Sequence, residues 1–309
     1  MTRVIAATVL LLALAAVPYT LGPVAEQPLI GLFSLVALAT LWNLLAGFAG
    51  LTSFGQQAYL GIGAYALYLL AARGLDPFLG IPLAALVAGA VAVPVSFPVL
   101  RLSGGHFAVA TWVLAEIFRL AVTLSPALGG NTGVALPGLG GYEPLVRQAV
   151  TYWWALGLAA CSVLGVWLLA RGGFGLRARA VQSDPVAAAS SGVRVDRTRR
   201  WAYCLAASGT GAVGALLFVY TLYVQPGSIF GVQYSVSMMF MVLIGGIGTI
   251  EGPVAGALIF FGLQQALSGY GPWYLVLLGA VAIAVTLFAP RGLWGRLGRP
   301  VFPIGYRLE

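Results

Sequence analysis

Few side chains in this sequence can do chemistry, and the two most conspicuous are Glu116 and Arg119. Both lie inside an apolar run. A charge at the centre of a bilayer helix costs roughly 2.5–3.5 kcal/mol on insertion scales. Their i, i+3 spacing puts them on one helical face, where they can neutralise each other. The spacing favours a structural pair buried between helices; the alternative is a pair that faces a polar pathway. Asn43, Gln56, Gln57, Thr111 and Asn131 are the other polar candidates for such a pathway. Gln56 and Gln57 either line it or pair across helices.

Other chemistry is excluded by composition. All sixteen basic residues are Arg, so a phosphate loop ending in G-K-[ST] cannot exist. His106 is the single histidine, and H-E-x-x-H and G-x-S-x-G are absent. Cys161 and Cys204 both fall in apolar runs and suggest neither a disulfide framework nor a metal site. No metal, cofactor or catalytic set is expected. Moving a solute, with energy supplied from elsewhere, is the remaining class.

The elements that must position these residues are membrane helices. Of 309 residues, 60% are apolar and 8% charged, with mean hydropathy +0.96. Soluble domains are about 25% charged. Long continuous apolar runs also argue against a barrel of short alternating strands. With about 20 residues needed per crossing, ten candidate spans emerge: 4–21, 28–45, 52–71, 80–99, 106–124, 152–170, 201–223, 235–250, 253–268 and 272–289. Glycines interrupt 52–71, 235–250 and 253–268, which are expected to be bent, re-entrant or discontinuous. The expectation is an all-α polytopic membrane protein of eight to ten spans. It forms a single transmembrane domain over 1–309, with polar loops at 125–151 and 171–200.

Arginine placement sets the orientation. With a cytoplasmic N-terminus, thirteen Arg lie inside: Arg3, Arg101, seven between 171 and 200, and Arg291, Arg296, Arg299 and Arg307. Only Arg73 and Arg147 lie outside. Both termini are therefore expected in the cytoplasm. The net charge of +8 reflects inner loops next to the lipid bilayer rather than nucleic-acid binding. Residues 1–22 also read as a secretory signal, though the arginine tally works with the first span retained.

The inner loop 171–200 contains a helix with both ends marked. Asp184 is an N-cap residue, Pro185 suits the first helical position, and Gly192 suits a left-handed C-terminal cap. Ala187, Ala188 and Ala189 form the body. Two turns are marginal alone in water. The helix needs a docking surface, and the membrane domain is expected to offer little beyond the bilayer. It reads either as a solvated basic loop touching anionic lipid or as the docking helix for a cytoplasmic partner.

Here the sequence resembles a known family. Leu176, Arg177, Ala178, Arg179 and Ala180, then Asp184, Ala187, Ala188 and Gly192, are similar to the coupling loop of inner-membrane permeases from branched-chain amino acid ABC importers. Gln182 stands where that pattern has its third basic residue. Residues 47–65 (GFAGLTSFGQQAYLGIGAY), 104–120 (GGHFAVATWVLAEIFRL), 245–257 (GGIGTIEGPVAGA) and 288–295 (FAPRGLWG) resemble further blocks of the family, in the expected order. The likeness is closer to the LivM-type subunit than to its LivH-type sibling. It implies two cytoplasmic ATPase subunits that use ATP, a second LivH-type permease, and an extracytoplasmic solute-binding protein facing loop 125–151. It implies that Arg177, Arg179, Asp184, Pro185, Ala187, Ala188 and Gly192 couple to the ATPase. Members also serve urea, short amides and other amino acids.

Independently of the resemblance, Gly252 and Gly256 make a small-xxx-small pair. Gly55, Gly61 and Gly63 permit close packing or an unwound backbone lining a cavity. Glu143 and Arg147 would share one side of a short surface helix. The rival to an ABC permease is an ion-coupled secondary transporter in which Glu116 carries a proton.

Overall fold

A computed structural model of the chain describes residues 13–20 and 23–267, with isolated positions between 276 and 287. The candidate span 272–289, most of 4–21, the 288–295 block and the C-terminal arginines lie outside the described residues.

The described chain is helical almost throughout. It runs α1 (Val17–Thr20), α2 (Pro23–Asn43), α3 (Gln56–Ala71), α4 (Pro77–Val99), α5 (Gly104–Thr123), α6 (Pro144–Arg171), α7 (Gly173–Ser183), α8 (Pro185–Ser190), α9 (Val195–Thr221), α10 (Pro226–Ile229), α11 (Gln233–Gly245) and α12 (Glu251–Leu267). Its two short strands, Val134–Ala135 and Tyr223–Val224, pair antiparallel and tie loop 125–151 to the end of α9. Among the described residues, six stretches are long and apolar enough to cross a membrane: Glu26–Phe48, Pro77–Val99, Gly104–Thr123, Pro144–Arg171, Val195–Thr221 and Pro226–Gly245. At 1.5 Å per residue, α3 and α12 reach only about 24–26 Å. The chain is an all-α polytopic membrane protein.

The breaks fall at the ends of the glycine-interrupted spans rather than inside them: α3 and α12 are continuous. α2 runs into a π-helical turn, Leu44–Phe48, and the chain stays non-helical until α3. Residues 230–232 separate α10 from α11, and 246–250 separate α11 from α12. Gly246 and Gly248 have φ of 130° and 75°, which an L side chain adopts only under strain.

Two helices form the axis. The apolar windows of Glu26–Phe48 and Val195–Thr221 are 83% and 72% buried, whereas that of α5 is 17% buried. α9 packs on α4 and α3, and α2 packs on α6 and α12. Small residues allow this closeness. A Cβ on Gly63 would overlap the Gly211 carbonyl, and one on Gly214 the Leu60 carbonyl. Ala84, Ala88 and Ala92 of α4 are fully buried.

The starts of α4 and α6 follow their local sequence. Asp76 caps α4, its Oδ1 accepting from the Phe78 and Leu79 amides at 2.9 and 3.3 Å, with Pro77 at the first position. Tyr142 donates its hydroxyl to Asp76 Oδ2 at 2.5 Å, which anchors loop 125–151. That carboxylate holds the Tyr142 phenol above its ordinary range. Glu143 and Pro144 open the 28-residue α6, so Glu143 and Arg147 belong to a long helix rather than a short surface one. Proline at N1 starts that helix eight residues before the apolar run does.

Candidate coupling segment and buried polar seam

The basic loop folds into two helices, α7 and α8. Asp184 Oδ1 accepts from the Val186 and Ala187 amides at 2.8 and 3.1 Å, and Pro185 fills the first position. At the other end Gly192, at φ 82°, lets the Val193 amide reach the Ala188 carbonyl at 3.0 Å.

One expectation needs correcting here. α8 does not lack a surface to dock on: it packs on α7 and the start of α9. Ala188 makes that contact and is 4% exposed, so it faces its own chain and is not available to a partner. Val186, at 75% exposed, and Ala187 form the outward edge. Contacts between helices were invisible to the sequence because the seat for Ala188 is assembled from two other elements.

α7 connects this edge to the membrane helices. Ala178 is fully buried, in a cluster with Leu44, Phe48, Val166, Ala170 and Ile250. The Arg179 guanidinium lies 5.4 Å from the centre of the Phe48 ring, and burial lowers its pKa from the ordinary guanidinium value. Arg177 is exposed, with Nε donating to the Gly173 carbonyl at 3.0 Å. Gly50 lies against Gln182. The π-helical turn and the 246–250 break thus both rest on the loop's helices.

Above this contact runs a seam of buried polar groups. Asn43 is fully buried and bridges to the second break, donating to the Thr249 carbonyl at 2.7 Å and accepting from the Gly248 amide at 2.8 Å. Trp42 Nε1 donates to the Ser53 carbonyl at 2.8 Å. Thr111 Oγ1 accepts from the Phe54 amide at 3.1 Å, and a Cβ on Gly55 would overlap the Thr111 carbonyl. At the first turn of α3, Gln56 accepts from Thr210 at 3.3 Å and Gln57 accepts from Ser235. Among the described residues the Gln56 amide nitrogen has no partner. Tyr59 donates to Tyr203 at 2.9 Å.

The structure thus places Asn43, Gln56, Gln57 and Thr111 together around the start of α3. Sequence reasoning missed the glutamines' partners Thr210 and Ser235, small hydroxyl residues in apolar runs, which usually bond to their own helix, and the Gly248–Thr249 backbone that meets Asn43. Gly61 lies under the Phe230 ring, and Gly256 abuts the Met241 carbonyl. Gly252 abuts Gly245, whose packing role sequence reasoning also missed.

Glu116 and Arg119 do not join the seam. They pair with each other, Arg119 Nε lying 2.9 Å from both Glu116 oxygens. Their side chains remain 48% and 27% exposed on the flank of α5. The expectation of a pair buried between helices of this chain is therefore corrected: α5 turns that face away from its own fold. Among the described residues, no group of three His, Cys, Asp or Glu converges on a metal-sized site.

These helices, breaks and polar seam define a transport-type membrane domain, and comparison with known proteins gives its family. The pattern of the branched-chain amino acid transport system permease component family matches residues 27–287. The chain belongs to that family. It is 27% identical over 278 residues to the high-affinity branched-chain amino acid transport system permease proteins LivM of Salmonella typhimurium and Escherichia coli. Each alignment covers 81% of this chain and 65% of the relative, so the chain spans about two thirds of their length. It is 28% identical over 305 residues to the ribose import permease protein RbsC of Bacillus subtilis, covering 85% of this chain and 92% of that one. No solved structure matches. The family and the apolar helices make this a multi-pass inner-membrane protein, of a family that transports rather than catalyses.

Proposed function

We propose that this chain is a permease subunit of an ABC importer for branched-chain amino acids or related small amino acids and amides. A solute-binding protein delivers the solute at the 125–151 face. Two cytoplasmic ATPases engage the Arg-rich face, and a LivH-type permease forms the other half of the pathway. Both termini lie on the cytoplasmic side. The ribose permease relative shows that sugars also occur among related cargoes.

The observation that carries this reading is the route from α8 to the seam. α8 is capped at both ends and seated by Ala188, and it presents Val186 and Ala187 outward. Through α7 it touches Phe48 and Ile250, which flank the two breaks that Asn43 ties together. ATPase closure would push the outward edge and move both breaks at once. Arg177 is exposed on the neighbouring α7, while Arg179 reaches inward to Phe48 and carries the push towards the first break. The partnerless Gln56 amide then offers a hydrogen bond to a solute in transit.

Glu116 is a poor proton carrier in this arrangement, because it neutralises Arg119 away from the seam. Co-purification tests the reading. Ala187→Asp should abolish capture of the co-expressed ATPases while the chain stays monodisperse. Normal capture and uptake would overturn the coupling role. Solute accumulation by the purified chain alone, under an imposed ion gradient, would overturn the ABC reading itself.

A further inference from the structure

Beside α8, between α7 and the first turns of α9, lies an open pocket of about 550 Å³. Its wall carries three guanidinium groups, Arg177, Arg194 and Arg197, together with Thr198 and the rings of Phe174 and Trp201. No carboxylate lines it. The nearby acids are otherwise placed: Asp184 caps α8, and Asp196 is exposed outside the lining. Among the described residues the one ion pair is Glu116–Arg119, so the three arginines have no acidic partner.

The pocket also receives the start of a 27-residue helix. The first N–H groups of α9 lack intrahelical acceptors, though Asp196 in the same turn offsets much of that positive end. A concave site whose lining carries three arginines and no carboxylate suits an anion.

Its depth says which anion. Trp201 is 53% exposed and stands where α9 passes from Arg199 and Arg200 into its apolar run. Exposed tryptophan at such a boundary marks the headgroup level. Arg200 lies 3.9 Å from the Phe97 ring, fixing α9 against α4 at that height. Phe174, Val193 and Trp201 give the pocket an apolar side that a free phosphate ion would leave uncovered and a glycerol backbone would cover. We propose that this pocket binds the phosphate of an anionic phospholipid, with Arg177, Arg194 and Arg197 as its ligands. Ser191–Arg194 form part of the wall, so the bound lipid would hold the exit of α8. That consequence for coupling rests on the permease reading; the binding does not.

Native mass spectrometry of the full, delipidated chain tests it, titrated with phosphatidylglycerol, phosphatidylcholine or inorganic phosphate. The wild type should retain phosphatidylglycerol over phosphatidylcholine, unaffected by millimolar phosphate. At about fivefold per arginine, R194A/R197A should lose roughly 25-fold in phosphatidylglycerol retention. R101A, a charge change outside the pocket, should lose less than about twofold. R194K/R197K keeps the charge and should bind within about threefold of wild type, which covers the case of a misfolded alanine variant. Loss in R101A equal to that of R197A would reduce the site to diffuse attraction and overturn the proposal. Competition by phosphate would make it a free-anion site. Unchanged lipid retention in R194A/R197A with loss of ATPase capture would assign the pocket to an acidic protein segment.

Discussion

Replacing Asn43 with Ala cuts the one side chain that ties the two helix breaks together. The Gly248 N–H and the Thr249 carbonyl each lose their bond to it. An orphaned buried group costs about 1–3 kcal/mol, so the range for the pair is about 2–6 kcal/mol. Interhelical hydrogen bonds in bilayers average only about 0.6 kcal/mol, because the loosened groups find other partners. Here that relief is limited. Gly248 is non-helical, so its amide lacks the i−4 carbonyl that would otherwise serve it. A loss of about 2–4 kcal/mol is expected. At roughly 2–4 °C per kcal/mol for a chain of this size, the melting midpoint should fall by about 5–15 °C. Intrinsic tryptophan fluorescence in detergent reads it directly. Gly47→Ala should give a similar drop, since its Cβ would meet the Asn43 amide and the Gly248 backbone. A shift below about 1 °C for both variants would refute the argument that this bridge holds the breaks together.

Three further outcomes follow from the geometry. Glu116→Gln leaves Arg119 uncompensated on an apolar flank, at up to about 2.5–3.5 kcal/mol; the double variant with Arg119→Gln should melt closer to wild type, and equal melting of single and double variants would reject the pairing. Gly256→Leu should separate α11 from α12 and cost more than about 3 kcal/mol, while Gly262→Leu, with open space around it, should be near neutral; matching effects in denaturant unfolding would count against the close seam. The Asp76 carboxylate raises the Tyr142 pKa, so the anchor is fully present below about pH 10, the unfolded phenol's value, and is lost as pH climbs through the higher folded value. Proteolysis of loop 125–151 should therefore accelerate above pH 10 in the wild type but stay level in Tyr142→Phe.

Element existence was legible because lengths and caps are local. The span ruler found every long helix among the described residues, and Asp184, Pro185 and Gly192 marked α8 to within two residues. Direction was not legible. On a soluble helix the polar face points outward, but in a bilayer the lipid-facing and protein-facing sides are both apolar. Nothing local therefore said that α5 turns Glu116 and Trp112 away from the fold while α9 buries most of its length. The candidate polar residues were findable as isolated amides in apolar sequence. Their partners were not, since Gln57 meets Ser235 across 178 positions. The π-helical turn left no signal beyond the glycine that permits its close neighbour.

The two axial helices are encoded far apart, with roughly 150 residues between the end of Glu26–Phe48 and the start of Val195–Thr221. At about 5–20 residues per second, the ribosome delivers the second some 7–30 s after the first. Through that interval the earlier one gains α6 but still lacks α9, α11 and α12. In water such a wait would invite aggregation. Within lipid it is harmless, because hydrocarbon chains cover the bare surface as readily as another helix would. Assembly of this protein is therefore a late event: the ninth helix and then the twelfth close what the second began.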